Sequence, residues 1–501
     1  MLQLHHLTIT HQKDLQTLIR DLNLVVNSGD KLALIGEEGT GKSTLLKALL
    51  NPRLIADYTI MEGTITNRFS RTGYLPQNIA PVDLDRSLSN YLYHDIDYDS
   101  FDFNLFYQMA ELFQFDTNRF DDHEQLVRNL SGGEKLKLQL LKILASGPDL
   151  LLFDEPSSDL DLESLQWLEK FIKRTDKTVI FISHDEELLT NTATAILHLE
   201  LLKKRQEAHA SYFHGDYRSY RQQRRERFER QLQLANKERE EHAKKSQKYQ
   251  RIQQRIEHEL RKTKNDVTGR LLAKKMHAHQ AQKGRLNKEA EQFTEIPQDM
   301  DTIDLFFSDI QALPASKVIL KWEAKELVSG QKVDWQIRGQ DKLVITGQNG
   351  IGKTLLLKQV LEELRTRIDL SLGYMPQNDE EILDAHQTAL SFLSDVASPE
   401  KARTFLASLQ FTRQEVGHSV LELSGGQKAK LFLAKMVLEG NNVLILDEPT
   451  RHFSPTSQPL IRQLLKDYPG CIISVSHDRK FIEEIGSTVY ELDQKHLRKI
   501  Q

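Results

Sequence analysis

Gly36, Glu37, Glu38, Gly39, Thr40, Gly41, Lys42, Ser43 and Thr44 follow the pattern GxxxxGK[ST], and Gly347, Gln348, Asn349, Gly350, Ile351, Gly352, Lys353 and Thr354 repeat it. Glycines let a backbone turn tightly and aim successive N–H groups at phosphate oxygens, and a helix starting there adds partial positive charge at the same point. Lys42 and Lys353 would reach the β- and γ-phosphates of a nucleotide, and the Ser43 and Thr354 hydroxyls would ligate Mg²⁺.

Two acidic pairs, Asp154-Glu155 and Asp447-Glu448, each run directly out of an apolar stretch. That context places the carboxylates at the C-terminal tip of a buried parallel strand, where ligands of α/β proteins bind. Asp154 and Asp447 are suited to holding Mg²⁺ through water, and Glu155 and Glu448 to orienting or deprotonating a water that attacks the γ-phosphate. His184 and His477 each end a second strand, 29 residues after their glutamates. One such histidine would be structural; two at the same spacing point to γ-phosphate contact. Gln77 and Gln377 follow Tyr-x-Pro in each copy and are placed to touch the Mg²⁺ or the attacking water.

The elements that must position these groups come in two copies. Ser131 and Ser424, Asp154 and Asp447, and His184 and His477 are each 293 residues apart. Gln77 and Gln377 are 300 apart and Lys42 and Lys353 are 311, so the first copy carries 18 extra residues upstream of its Leu-Ser-Gly-Gly. Short apolar runs precede the glycine loops (Lys31–Ile35, Leu343–Thr346) and others lead to the histidines (Thr178–Ser183, Cys471–Ser476), while apolar-periodic segments follow the loops. The pattern predicts an α/β fold: two tandem P-loop NTPase domains.

The chain has 501 residues, enough for several domains, with 28% charged residues and mean hydropathy −0.50. No run approaches the roughly 20 apolar residues of a membrane span, and the N-terminus lacks the organisation of a signal peptide. The single cysteine, Cys471, excludes an intramolecular disulfide and reads as a small buried hydrophobe. A cytoplasmic protein is expected.

Net charge is −5, but residues 217–289 hold 22 Lys and Arg against 9 Asp and Glu, an excess of +13 that leaves −18 for the remainder. This stretch has no proline, and its apolar residues recur at helical spacing (Tyr249, Ile252, Ile256, Leu260; then Leu272, Met276). It predicts two long antiparallel helices, the first over Arg218–Lys262, joined by a basic tip. Such an excess suits the neutralisation of nucleic-acid phosphates, with Lys262, Lys264, Arg270, Lys274 and Lys275 as candidate RNA contacts.

Glycine loop, glutamine, LSGG signature, Asp-Glu pair and histidine, in that order and twice, resemble the ATP-binding cassette ATPases. By that resemblance the halves pack head to tail. One ATP would lie between Gly36–Thr44 and Ser424, Gly425, Gly426 and Gln427, the other between Gly347–Thr354 and Ser131, Gly132, Gly133 and Glu134. The segment Thr450-Arg-His-Phe-Ser-Pro455 lacks the aspartate kept as Asp161 in the first half, in a loop that couples the two sites in that family. The aromatic that stacks on adenine is not evident; His11 and Trp322 are the candidates.

Twin cassettes joined by a charged helical hairpin resemble the ABC-F class. The resemblance implies domains at 1–204 and 301–501, a linker at 205–300, and a monomer with intramolecular cassette pairing. It further implies ATP and Mg²⁺ as cofactors, no membrane partner, and the ribosome as partner through rRNA and P-site tRNA. Members are translation factors or protect ribosomes against peptidyl-transferase antibiotics, and the length and the Thr450–Pro455 variant are nearest the second type. The alternative is the ATP-binding subunit of a transporter with separate membrane chains.

Overall fold

The computed structural model describes the chain apart from residues 95, 123, 159, 203–206, 263–273, 279–280, 282–283, 285–292, 295–309, 380–381, 385, 410, 414, 495 and 501, and the side chains of 260–262. Residues 1–218 and 300–501 form one compact unit and residues 219–299 another.

Within the first unit the two halves repeat one six-stranded sheet. In the first half the strands lie in the order Thr72–Leu75, Leu150–Phe153, Thr178–Ile182, Lys31–Ile35, Ala195–Leu201, Glu207–His214. In the second they run Leu372–Met375, Val443–Asp447, Cys471–Val475, Lys342–Thr346, Thr488–Leu492, Leu497–Lys499. In both sheets the first five strands are parallel and the last pairs antiparallel at the edge. Helices covering both faces explain why the central strands read as unbroken apolar runs: every residue of Leu150–Phe153, Thr178–Ile182 and Cys471–Val475 is buried. Cys471 is a buried free thiol in this core. An antiparallel sheet (Leu2–His11, Thr17–Val26, Thr59–Asn67) packs on the first half, and the pair Val318–Glu326 and Lys332–Arg338 on the second.

The helices that open at the signatures owe their position to a local code. Ser131 and Ser424 each accept the N–H of the residue three ahead, and Glu134 and Gln427 return a side-chain oxygen to the serine N–H at 2.8 and 2.9 Å. Ser-Gly-Gly-Glu and Ser-Gly-Gly-Gln are thus both capping boxes, which is why the two halves tolerate different fourth residues.

In the second unit a 46-residue helix, Tyr217–Lys262, extends about 69 Å at 1.5 Å per residue. The chain returns against it: Thr294 donates its N–H to Glu238 at 2.7 Å, its carbonyl accepts from Arg239 at 3.1 Å, and the Phe293 and His242 rings meet edge to face. Residues 274–278 are helical, with Lys274 and Lys275 exposed. Lys264 and Arg270, like the Lys262 side chain, lie outside the described residues. Among the described residues no helix is long and apolar enough to cross a membrane.

Candidate active site

Both glycine loops adopt one conformation. Gly36 and Gly347 have φ of 147° and 143°, Gly39 and Gly350 80° and 78°, Gly41 and Gly352 90° and 105°. At the first pair the reason is close approach: a Cβ on Gly36 would lie 2.2 Å from the Leu199 carbonyl oxygen, and one on Gly347 2.4 Å from that of Leu492. The lysines begin helices Lys42–Leu50 and Lys353–Arg365 and fold back over their loops. Lys42 donates to the carbonyls of Gly36 and Glu37 at 2.9 and 2.8 Å, and Lys353 to those of Gly347 and Gln348 at 2.8 Å. Burial lowers the pKa of both ammonium groups, against the pull of nearby acids.

Ser43 Oγ donates to Asp154 at 2.9 Å and Thr354 Oγ1 to Asp447 at 2.7 Å. Each half therefore gathers a hydroxyl and a carboxylate at one point, hard oxygen donors that fit Mg²⁺. Beside them Glu155 and Glu448 hold left-handed backbones, φ 49° and 53°, a conformation that costs a non-glycine residue about 1 kcal/mol and gathers at functional sites.

The two glutamates share geometry but not electrostatics. Glu155 accepts from Gln77 Nε2 at 2.8 Å and faces His184 Nε2 at 3.3 Å. Burial works to raise its pKa, but His184, Lys42 and Ser158 outweigh it and bring the value down to about 2. Glu448 accepts the His477 N–H at 3.3 Å, while the His477 ring stands 3.8 Å away. Burial and the charge of Asp447 push Glu448 up to about 8, and burial with Lys353 pushes His477 down to about 4. Gln77 thus engages the carboxylate itself; Gln377 lines the cleft near Glu448.

Both sites open into one cleft of about 1600 Å³ between the halves, lined by both glycine loops, Ser131, Gly132, Glu155, Glu448, His184 and His477. Across it the Gly425 N–H reaches Glu38 at 2.6 Å, and the His184 ring meets the Phe453 carbonyl at 3.1 Å. Glu37 pairs with Lys430. The remaining expected contacts serve local structure: Thr40 binds the Glu37 carbonyl, the Ile351 carbonyl accepts from Gln331, and Glu134 pairs with Arg119. Gly133 lies against Ser164, and the backbone of His452 approaches Gly426.

The loops that follow the two acidic pairs also differ. The first half presents Asp161 to Lys353 and His477, whereas the second presents the His452 ring to Glu38 at 3.3 Å and the Phe453 carbonyl to His184. Trp322, a candidate for stacking on adenine, is instead a core residue, 4% exposed, with its indole N–H on Glu363 at 2.8 Å. His11 pairs with Asp14 and tilts on Tyr58. Leu18, which touches Gly41, and Lys135 line the cleft without any signal in their sequence context.

A family model described as ABC transporter matches residues 19–158 and 330–451. The chain is 27% identical to an ATP-binding protein of Bacillus subtilis (strain 168), YdiF, over 99% of this chain and 80% of the relative. It is 26% identical to "ABC transporter F family member 5" of Arabidopsis thaliana, over 95% and 73%. Among solved structures it shares the fold of an archaeal ribosome recycling factor, aABCE1, in complex with the ribosomal stalk protein aP1 (TM-score 0.61, 17% identity, 99% of this chain and 89% of that one). With two matched ATP-binding domains that together account for more than half of its residues, the chain belongs to the ABC transporter family, as a twin-cassette ATPase of the ABC-F type.

Proposed function

We propose that the chain is an ATP-driven switch acting on the ribosome, in translation or in protection against peptidyl-transferase antibiotics, in which closure of the cassettes on two ATP molecules positions the basic hairpin. The hairpin charge carries this reading: +13 over residues 217–289 in a chain of net −5. A structural neighbour that is a ribosome recycling factor supports the same partner.

In the proposed cycle Lys42 and Lys353 hold the β- and γ-phosphates, and the N-termini of helices Gly132–Leu144 and Gly425–Glu439 cap the γ-phosphate from the opposite cassette. Ser43 with Asp154, and Thr354 with Asp447, would hold Mg²⁺, which neutralises charge on the phosphates. Glu155 accepts the proton of the attacking water, with Gln77 and His184 orienting it. Glu448 and His477 occupy the equivalent places in the second site, and loss of γ-phosphate would release the halves.

The test is a Glu155→Gln, Glu448→Gln double variant sedimented through sucrose with ribosomes and ATP. Co-sedimentation that depends on ATP is expected. Trapped protein that stays in the soluble fraction would overturn the ribosome reading.

A further inference from the structure

The seam between the halves carries a charge pattern that the repeat itself does not require. The 293-residue offset makes Glu169 equivalent to Arg462, and Glu186 equivalent to Arg479. Across the seam Arg462 donates to Glu186 at 2.7 Å, and Arg479 donates to Glu169 at 2.9 Å. One interaction is therefore made twice about a pseudo-twofold axis, with both acids on the first half and both guanidiniums on the second. Arg462 is 2% exposed and Glu186 6%. Arg479 also reaches Asp185 at 3.1 Å and Glu187 at 2.7 Å, and Arg462 reaches Glu484 of its own half at 3.1 Å.

A symmetric contact between two copies of one half would have to be self-complementary. Two first halves would set Glu169 against Glu186 at both places, and two second halves would set Arg462 against Arg479. Like charges set against each other in so enclosed a seam repel, and such polar positions are a recognised means of fixing which partners associate. Sequence similarity between the halves would otherwise favour pairing of like with like.

We propose that Glu169, Glu186, Arg462 and Arg479 form a pairing code that makes the second half of its own chain the partner of the first half. The covalent connection raises the effective concentration of that partner, and the code removes the competing pairings. The inference rests on the closing of cassettes proposed above only where hydrolysis is the readout.

Two full-length variants test it. Glu169→Arg/Glu186→Arg makes all four positions basic, and Arg462→Glu/Arg479→Glu makes them acidic. Each alone should stay folded by circular dichroism, remain monomeric and lose ATPase activity about ten-fold or more. Mixed in equal amounts, they rebuild a wild-type seam between the first half of the acidic chain and the second half of the basic one. A 1:1 dimer in sedimentation and recovered ATPase are the expected result. Wild-type ATPase in either variant alone, or a mixture that stays monomeric and inactive, would overturn the code. The dimer readout does not need hydrolysis, so failure of the ATP-switch reading would be recognised separately. Should reversal prevent folding, Arg462→Gln and Glu186→Gln replace it. Arg462→Gln alone should lose more than the double variant, because it takes the guanidinium away from a buried acid; simply additive losses would overturn the proposal.

Discussion

Glu38 and Gly425 lie 387 residues apart, in different halves, and the glutamate Oε2 accepts the glycine N–H at 2.6 Å. That N–H is the first of helix Gly425–Glu439, the donor proposed for a γ-phosphate. Burial would raise the Glu38 pKa, but His452, His184 and Gly425 together bring it below its ordinary value, so a carboxylate already occupies the anion position. The second loop has Asn349 at the corresponding place. Glu38→Asn should therefore lower the KM for ATP by about ten-fold, equivalent to about 1.4 kcal/mol, measured in a Glu448→Gln background that leaves the first site active. An unchanged or higher KM would count against competition for this donor.

The unequal glutamates give a pH signature. Glu155, held near 2, is ionised throughout the neutral range, whereas Glu448, raised to about 8, becomes a base only as the pH climbs through that value. In a Glu155→Gln variant the residual ATPase should rise between pH 7 and pH 9, by up to about ten-fold per unit below the pKa. In Glu448→Gln it should stay flat over the same range. Parallel profiles for the two variants would contradict the asymmetry.

Two glycines of one loop should respond differently to alanine. Gly36→Ala sets a Cβ against the Leu199 carbonyl in a backbone that only glycine adopts easily, and should cost about 2–4 kcal/mol in denaturant unfolding. Gly39→Ala meets nothing within 4 Å and should cost about 1 kcal/mol, from its left-handed backbone alone. Equal losses would place the constraint elsewhere than in the Leu199 contact.

The basic helix Tyr217–Lys262 makes a quantitative prediction about salt. Lys244, Lys245 and Lys248 are exposed on the 46-residue helix. Changing all three to Gln should reduce the slope of log affinity for ribosomal RNA against log salt by about two, because each phosphate neutralised contributes roughly 0.7–0.9 to it. A slope that does not move would remove these lysines from the interface.

Much of this site can be read from the chain because local chemistry encodes it. Glycine loops need their glycines, and short buried runs such as Lys31–Ile35 and Leu150–Phe153, on either side of Thr178–Ile182, bring the glycine loop and Asp154 to the same end of the sheet, where Ser43 reaches Asp154. The helix Tyr217–Lys262 begins one residue before its expected start. What spacing does not encode is the chemistry across the seam. Nothing local distinguishes Glu38, Arg462 or Arg479 from ordinary surface charges, since their partners sit in the other half. Trp322 shows the converse difficulty: an aromatic ahead of a glycine loop looks alike whether it stacks on a base or fills a core, and here the Glu363 carboxylate and the Trp335 ring claim it. The difference between Glu155 and Glu448 arises from burial and from the distance to a histidine, which identical motifs do not record.

Cys471, the chain's only cysteine, is enclosed in a central strand, and burial together with the charge of Asp341 drives its thiol pKa upward. It will be slow toward thiol reagents at neutral pH. A pair of cysteines introduced at exposed positions of the two halves can therefore carry fluorophores in the otherwise unaltered chain, and the opening of the seam during turnover becomes a distance that can be followed in real time.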